Sequence, residues 1–407
     1  MRRSAILVVA VLVLAVAHVA HARSLERRLG EASQLVGIAS GSAFDALAEN
    51  IADTAARAVP VISSSAGFTY RFNPATEVFE RTSQTLGPVF LERPDTLGRN
   101  KFNVSVSFQY VELNAFDGTD LKKLENRDPI IIRAFDANGN PIGFRATRLR
   151  YSLGLQNYVT GVGFTWGVMD DLDLNLYVPI IVTNMRVGVH AQDVATGDLS
   201  GNFTPSVGPE RVGRDNGDAV GVGDILLRVK YQLARLDVAP LDQLRWALGM
   251  QLRLPSGSSS DFQGTGDVEI SPFLYLSTVL WNIVEPHMNL GVDFNTGDVS
   301  RSAARYGFGI DVDVHPRVNL NVAYLGRSQF EATSDPEETQ FAHLGSTEPQ
   351  PLLGLDFGRK DTSDLSFGLR AVVWRNVMLF VNGIYALNDS GLRNDTVIPA
   401  GGIEGTF

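Results

Sequence analysis

The residues of this chain that can act on another molecule are charged, and they recur at every second position. Arg228 and Lys230 alternate with Leu227, Val229 and Tyr231, and Arg245 and Arg253 alternate with Trp246, Leu248, Met250 and Leu252. Arg370 lies between Leu369 and Ala371, while Asp293, Asp311 and Asp313 alternate with Val292, Phe294, Ile310 and Val312. Side chains two apart share one face of a strand, so this spacing puts the ionic groups on one face and the apolar groups on the other. Charges of both signs facing a common interior would set up a transverse field that sorts small solutes by charge and size. The same groups, paired across the wall, would simply hold that interior together. These eight residues, with Asp173, Asp267 and Glu269, are the candidate lining of a lumen.

Covalent chemistry has fewer candidates. Beyond residue 22 the histidines are His190, His287, His315 and His343. A lipid-cleaving barrel enzyme carries a His and a Ser on one strand face, whereas Ser346 follows His343 by three residues in a polar stretch and reads as exposed loop. His287 and His315, beside Pro286 and Pro316, read as turn residues, and no histidine and carboxylate spacing suggests zinc. Gly221 to Asp224 is too short for a phosphate loop and reads as a strand start or bulge. No catalytic residue, cofactor or metal is expected.

The elements that position the charges are amphipathic strands of about ten residues, joined alternately by long polar connections and tight turns. The long set is Ala115 to Thr147, Gly188 to Val220, Pro255 to Gly266 and Ser328 to Asp361. The tight set is Met169-Asp170-Asp171, Trp281 to Glu285, His315-Pro316-Arg317 and Trp374-Arg375-Asn376. About twelve strands follow from Lys101, an even number that returns both ends of a closed barrel to one side. The expected fold is therefore all-β, a transmembrane antiparallel up-and-down barrel over residues 100–407. Trp166, Trp246, Trp281 and Trp374 fall near tight turns, as an aromatic girdle would. Trp281 and Trp374 lie on the polar parity of their strands, which would make them close the lumen or mark a register change. Glycine also prefers the polar parity, at Gly161, Gly163, Gly291, Gly307 and Gly309.

Residues 1–22 read as a signal peptide, with Arg2-Arg3, an apolar run from Ala5 to Ala17, and Ala20-His21-Ala22 as a cleavage site. Residues 23–99 would form a periplasmic or plugging segment. Leu25, Leu29, Ala32 and Val36 make one helical stripe, and Phe44, Leu47, Ala48, Ile51 and Ala55 a second. A small hairpin is expected around Asn73 to Thr76. With no cysteine, an exported fold must rest on packing and backbone hydrogen bonds. The net charge of −10 and the lack of a basic cluster argue against nucleic acid as a partner. The acidic run Asp335 to Glu338 reads as a solvated face.

The segments GPVFLERPDTLGRNKFNVSVSFQY (Gly87 to Tyr110), GVGDILLRVKY (Gly221 to Tyr231), LRLPSGSSSDFQGTG (Leu252 to Gly266) and PHMNLG (Pro286 to Gly291) resemble an outer-membrane family associated with the meta-pathway of phenol degradation. The resemblance covers most of the chain beyond the signal peptide, and its motifs are turn and strand signatures. It implies a channel or porin-like transporter in the bacterial outer membrane, with small solutes, aromatic or hydrophobic compounds among them, as cargo. Outer-membrane lipids and, during biogenesis, the barrel assembly machinery are the further partners expected; the terminal Phe407 is similar to the signal that machinery reads. Two alternatives stand beside the channel. One is a non-conducting barrel that serves interaction or structure, and the other a lipid-modifying enzyme.

Overall fold

The computed structural model describes residues 24–38, 51, 55, 57, 61–64, 70–73, 78–81, 85–126, 128–233, 236–238, 241–281, 283–332, 340–351 and 358–407. The expected signal peptide, the helical positions Phe44, Leu47 and Ala48, and the acidic run Asp335 to Glu338 lie outside the described residues. Twelve strands close into an antiparallel barrel. They are β1 (Phe102–Leu113), β2 (Pro141–Met169), β3 (Leu172–Gly197), β4 (Glu210–Val222 and Ile225–Gln232), β5 (Leu241–Leu254), β6 (Glu269–Ser277), β7 (Val284–Asn295), β8 (Ala303–His315), β9 (Val318–Gln329), β10 (Asp361–Trp374), β11 (Val377–Ala386) and β12 (Ile398–Thr406). Each pairs with the next, and β12 returns to β1 from Ala400↔Gln109 to Thr406↔Asn103. Phe102 and Phe407 exchange backbone hydrogen bonds of 3.0 and 2.7 Å to finish the seam. Closure leaves no strand edge in the apolar layer, which hydrocarbon requires because it offers no hydrogen bonds. Among the described residues no helix is long and apolar enough to cross a membrane.

The alternation expected along each strand is present. Leu369 is 41% exposed and its neighbour Arg370 2%. Leu227, Val229 and Tyr231 are likewise exposed, and Lys230, Arg245 and Arg253 buried. The exterior is therefore an apolar belt and the interior polar. The tight turns fall where expected, all at the end of the barrel that also holds the start of β1 and the end of β12. Trp166 is exposed there, as are Trp281 and Trp374, at 81% and 65%. The last two thus stay out of the lumen, and Trp374 sits at a register shift between Val372 and Trp374.

Two of the expected long connections are mostly strand. The stretch Gly188 to Val220 is taken up by β3, which runs to Gly197, and by β4, which starts at Glu210. In the stretch Ala115 to Thr147, a ribbon at Ile130–Phe135 pairs with β2. At about 3.3 Å per residue, the 29 residues of β2 extend roughly 90 Å, whereas a tilted strand crosses the apolar layer in about 10 residues. The surplus forms a wall beyond the belt, and there the polarity of the faces inverts. On β1, inward Asn103, Ser105, Ser107 and Gln109 give way to Val111 and Leu113, while outward Val104, Val106 and Phe108 give way to Glu112. On β2, inward Thr165 and Asn157 give way to Leu155, Leu153, Tyr151 and Leu149, with Arg150 and Arg148 outside. On β3, inward Asp173 and Asn175 give way to Met185, Val187, Val189 and Ala191, with Arg186 outside. Water replaces lipid outside the wall at that height, so the apolar side chains turn inward.

They pack around the first helical stripe. A helix at Leu25–Gly30, capped by Ser24 Oγ on the Arg27 N–H, leads into a 3-10 turn at Ala32–Val36. Leu25, Leu29, Ala32 and Val36 are buried in one cluster with the inward residues of the extended wall. Arg28 reaches Asp215 at 3.0 Å, and the hydroxyls of Ser33 and Tyr151 lie 3.3 Å apart. The small hairpin pairs Tyr70–Asn73 with Val78–Arg81. At the hairpin tips beyond the wall, the Asn140 and Asn202 backbone amides donate to Asp136 and Asp198, holding both carboxyls below their usual range.

Replacing Leu369 by Arg puts a charge in the apolar belt at a cost of about 2–4 kcal/mol. Heat-modifiable mobility should be lost in Leu369→Arg and kept in Leu379→Ile, another belt position; equal loss in both would refute the outward assignment. An epitope at Gly345 should be labelled on intact cells and one between Arg375 and Asn376 only after the outer membrane is breached.

Candidate functional site in the lumen

The inward charges meet partners supplied by the chain before β1. Ser63 donates to the Val89 carbonyl at 2.8 Å, so residues 61–64 and 89–92 lie side by side within the ring. From Thr85 to Leu97 the chain contacts inward-facing groups of six strands. Thr85 Oγ1 bonds to Glu285 on β7. The Leu86 carbonyl accepts from Arg370 Nη1 of β10 at 2.7 Å, and the Arg93 carbonyl accepts from Lys230 Nζ of β4 at 3.2 Å. Asp95 pairs with Arg245 of β5. The Leu97 amide donates to Asp173 of β3 at 3.0 Å, and Thr96 Oγ1 to the Asp170 carbonyl at 2.6 Å, just past β2. Leu91 rests on β8, where a Cβ at Gly307 or Gly309 would stand 2.4 or 2.7 Å from its methyl groups. That contact gives the inward glycines of β8 their reason.

Each candidate lumen residue can now be placed. Arg228 donates to the Ile62 carbonyl at 3.0 Å and to Gln251 Oε1 at 3.2 Å, and stands 3.5 Å from Glu92. Lys230 lies between Glu92, at 3.7 Å, and Asp173, at 4.0 Å. Arg245 bridges Asp95 and Glu285, the latter at 2.5 Å. Arg370 lies 3.3 Å from Glu404 as well as on Leu86. Asp311 holds His287 Nε2 at 2.8 Å, and Asp313 accepts from Asn319 Nδ2 at 2.8 Å. Arg253 faces Glu269 at 3.5 Å, and Asp293 lies 2.5 Å from Arg305 and 3.8 Å from Arg327. Asp267, at the rim, lies 3.6 Å from Arg301.

The candidates fall into two groups. Arg245, Lys230, Arg370, Asp311 and Asp313 lie toward the turn end with residues 85–97. Arg253, Asp293 and Arg228 border a cavity of about 270 Å³ on the other side of that segment, reaching to Lys360 and Arg393 near the loop end. Buried charges are costly unless paired and hydrogen-bonded. Here the pairing runs both within the wall and between the wall and the chain's own N-terminal part.

Several site residues escape a reading of sequence spacing. His287 was expected at a turn, but it is a buried, inward residue of β7 beside Glu285. Its parity with Asn289 and Asp293 would have identified it, as parity with Gly307 and Gly309 would have identified Arg305. Glu92, Arg93 and Asp95 carry no such signal, since they lie outside the strands. His343 sits in the loop before β10, where its two ring nitrogens lie 2.9 and 3.3 Å from the carbonyls of Asp128 and Gln350, and Ser346 Oγ donates to the Glu348 carbonyl. Gly221 to Asp224 interrupts β4, and the Asp224 carboxylate accepts from the amides of Gly257 and Thr265, tying down the following loop. Among the described residues no group of three or more histidine and carboxylate side chains could hold a metal.

A closed barrel with an apolar belt outside and ionised groups inside defines a transmembrane protein of the bacterial outer membrane. Residues 133–374 match the family described as "Putative MetA-pathway of phenol degradation", and the chain belongs to that family. No curated protein matches the sequence. Among solved structures, the chain is similar to an outer membrane channel from Pseudomonas putida F1, at 11% identity and TM-score 0.47, covering 77% of this chain and 98% of that one. It is also similar to the NanC porin, at 9% identity and TM-score 0.38 over 74% and 98% of the two chains. The P. putida toluene transporter TodX aligns at 8% identity and TM-score 0.32 over 77% and 91%.

If the ion pairs hold residues 85–97 in place, Arg245→Gln, which leaves Asp95 and Glu285 without their guanidinium, should cost about 3–5 kcal/mol of local stability. Limited proteolysis of the folded barrel should then cleave between Thr85 and Leu97 many times faster than in wild type. Equal protection in both would remove Arg245 from that role.

Proposed function

We propose that this protein is an outer-membrane channel for small solutes, kept closed by residues 24–97 of its own chain. The observation that carries the reading is the division of the lumen. Residues 85–97 span the turn end on polar contacts, while an aqueous-sized cavity with an ionic lining remains behind them. A twelve-stranded ring lies between eight-stranded barrels filled by side chains and the wide porins, so it suits a narrow path. Membership of a family named for phenol degradation supports aromatic or hydrophobic compounds as cargo.

No catalytic role is assigned. The ring nitrogens of His343 are occupied by backbone carbonyls, so the residue best spaced for a lipid-cleaving pair has no free nitrogen to act as base. A second reading, a non-conducting platform for a surface partner, draws on the wall that rises beyond the apolar belt.

Planar-bilayer recording separates these readings. Wild type should conduct weakly or in brief openings, and a variant lacking residues 24–97 should conduct steadily, with conductance at least several-fold higher. A well-assembled deletion variant with no conductance would overturn the channel and leave the platform.

A further inference from the structure

Beyond the apolar belt the outer face of the tall wall carries ions, and most of them cancel in pairs. Lys122 lies 2.9 Å from Glu112, Arg150 2.8 Å from Glu210 and Arg148 3.6 Å from Glu125. Two arginines are left over. Arg186 on β3 and Arg214 on β4 are both exposed, and among the described residues neither makes an ion pair or a hydrogen bond.

The sheet sets these two side by side. Arg186 pairs with Asn216, and Gly188 with Arg214, so the arginines are diagonal neighbours on one face of adjacent strands, their Cβ atoms about 7–8 Å apart or less. Side chains as long as these converge on one tetrahedral anion, and a guanidinium fork matches phosphate oxygens two at a time. The wall leaves room for it. Gly154 stands opposite Arg186 on β2, and a Cβ there would meet no atom within 4 Å. Asp218, diagonal to Arg186 and one row nearer the belt, is an exposed carboxylate without a partner among the described residues, and it leaves the trio with a net positive charge.

Height decides what the pair meets. The belt ends at Val182 and Val220, which face each other, with Tyr158 beside Val182 and its ring 5.1 Å from that of Tyr110. Arg186 is four residues further along β3, about 13 Å, or roughly 10 Å in height at a strand tilt of about 40°. It lies close enough to the Tyr110 hydroxyl for its charge to act there. An ordinary headgroup layer is only about 5–8 Å deep on each side of the hydrocarbon, whereas a phosphorylated sugar headgroup stands taller. The long connections mark this end of the barrel as the outer one.

We propose that Arg186 and Arg214 hold a phosphate of a glycolipid headgroup in the outer leaflet, with the acyl chains of that lipid on the belt below. The site is separate from the lumen and stands whether or not the pore conducts.

Native mass spectrometry of the intact purified protein in detergent, titrated with diphosphoryl lipid A, tests it. Lipid A should bind saturably, and phosphate-free lipid A and phosphatidylglycerol at least tenfold more weakly. Replacing both arginines, Arg186→Gln with Arg214→Gln, should weaken lipid A on the order of ten- to hundredfold, as expected for losing hydrogen bonds to a charged group. Each single change should weaken it several-fold, and the single changes carry the test if the double variant fails to assemble by heat-modifiable mobility. Asp218→Asn, which removes the neighbouring negative charge, should bind as tightly as wild type or more so; weaker binding there would put a bridging cation, not the arginines, on the phosphate. Unchanged affinity in the double variant, or an equal loss in Arg375→Gln at the turn end, would overturn the site. Phosphate-free lipid A binding as tightly would overturn the charge contact, and phosphatidylglycerol binding as tightly would overturn the glycolipid. Displacement of lipid A by millimolar inorganic phosphate would make this a small-anion site and overturn the lipid assignment.

Discussion

Hydrocarbon accepts no unpaired backbone, and most of this structure follows from that constraint. A strand that enters the apolar layer must have neighbours on both edges, so the sheet closes on itself through the pairing of β12 with β1. Closure turns every second side chain toward an interior too small to hold bulk water around each ion. Arg245, Arg370, Glu285 and Asp311 are all buried there, and isolated charges in such surroundings are strongly disfavoured. Partners are therefore obligatory. The strands supply some of them, as in Asp311 with His287, and the segment before β1 supplies the rest with Asp95, Glu92 and a row of backbone carbonyls.

The part of the architecture that lipid dictates was legible in the sequence. Leu369 and Arg370 are adjacent, yet one meets lipid and the other the lumen, and period-two spacing alone assigns them correctly. The turns at His315 to Arg317 and Trp374 to Asn376 were legible for the same reason, because the apolar stripe stops there. Beyond the belt the rule changes. Leu149, Leu153 and Val187 keep the period but exchange faces, so a polar outer face in β2 and β3 resembles loop unless the inversion is noticed. The contacts of Glu92, Arg93 and Asp95 were not legible, since they depend on residues up to 150 positions away in the chain rather than on local spacing.

The two ends of the lumen are governed by different physics. Near the turns, contacts are ionic and directional, with guanidinium and ammonium groups bonded to specific carbonyl oxygens. In the extended wall the contact between the Leu25 to Val36 stripe and the strands is apolar and rests on area. Salt weakens the first kind and strengthens the second where the anion is strongly hydrated, so the two grips on one segment respond oppositely to the medium. The cavity lies between them, with its mixed aromatic and ionic lining.

The N-terminal segment also constrains how the molecule is made. Its described residues run from the extended wall at Leu25, past Arg57 and Ile62, to Leu97 beside β3, where β1 begins. Once β12 is zipped to β1, this thread is encircled. It could then reach its position only by travelling lengthwise through a passage it fills. Laying the thread against a sheet that is still open would avoid that passage. In that sense the described residues of the N-terminal segment have the place of a mandrel within the ring, with the Leu25 to Val36 stripe covering the apolar inner face of the tall strands.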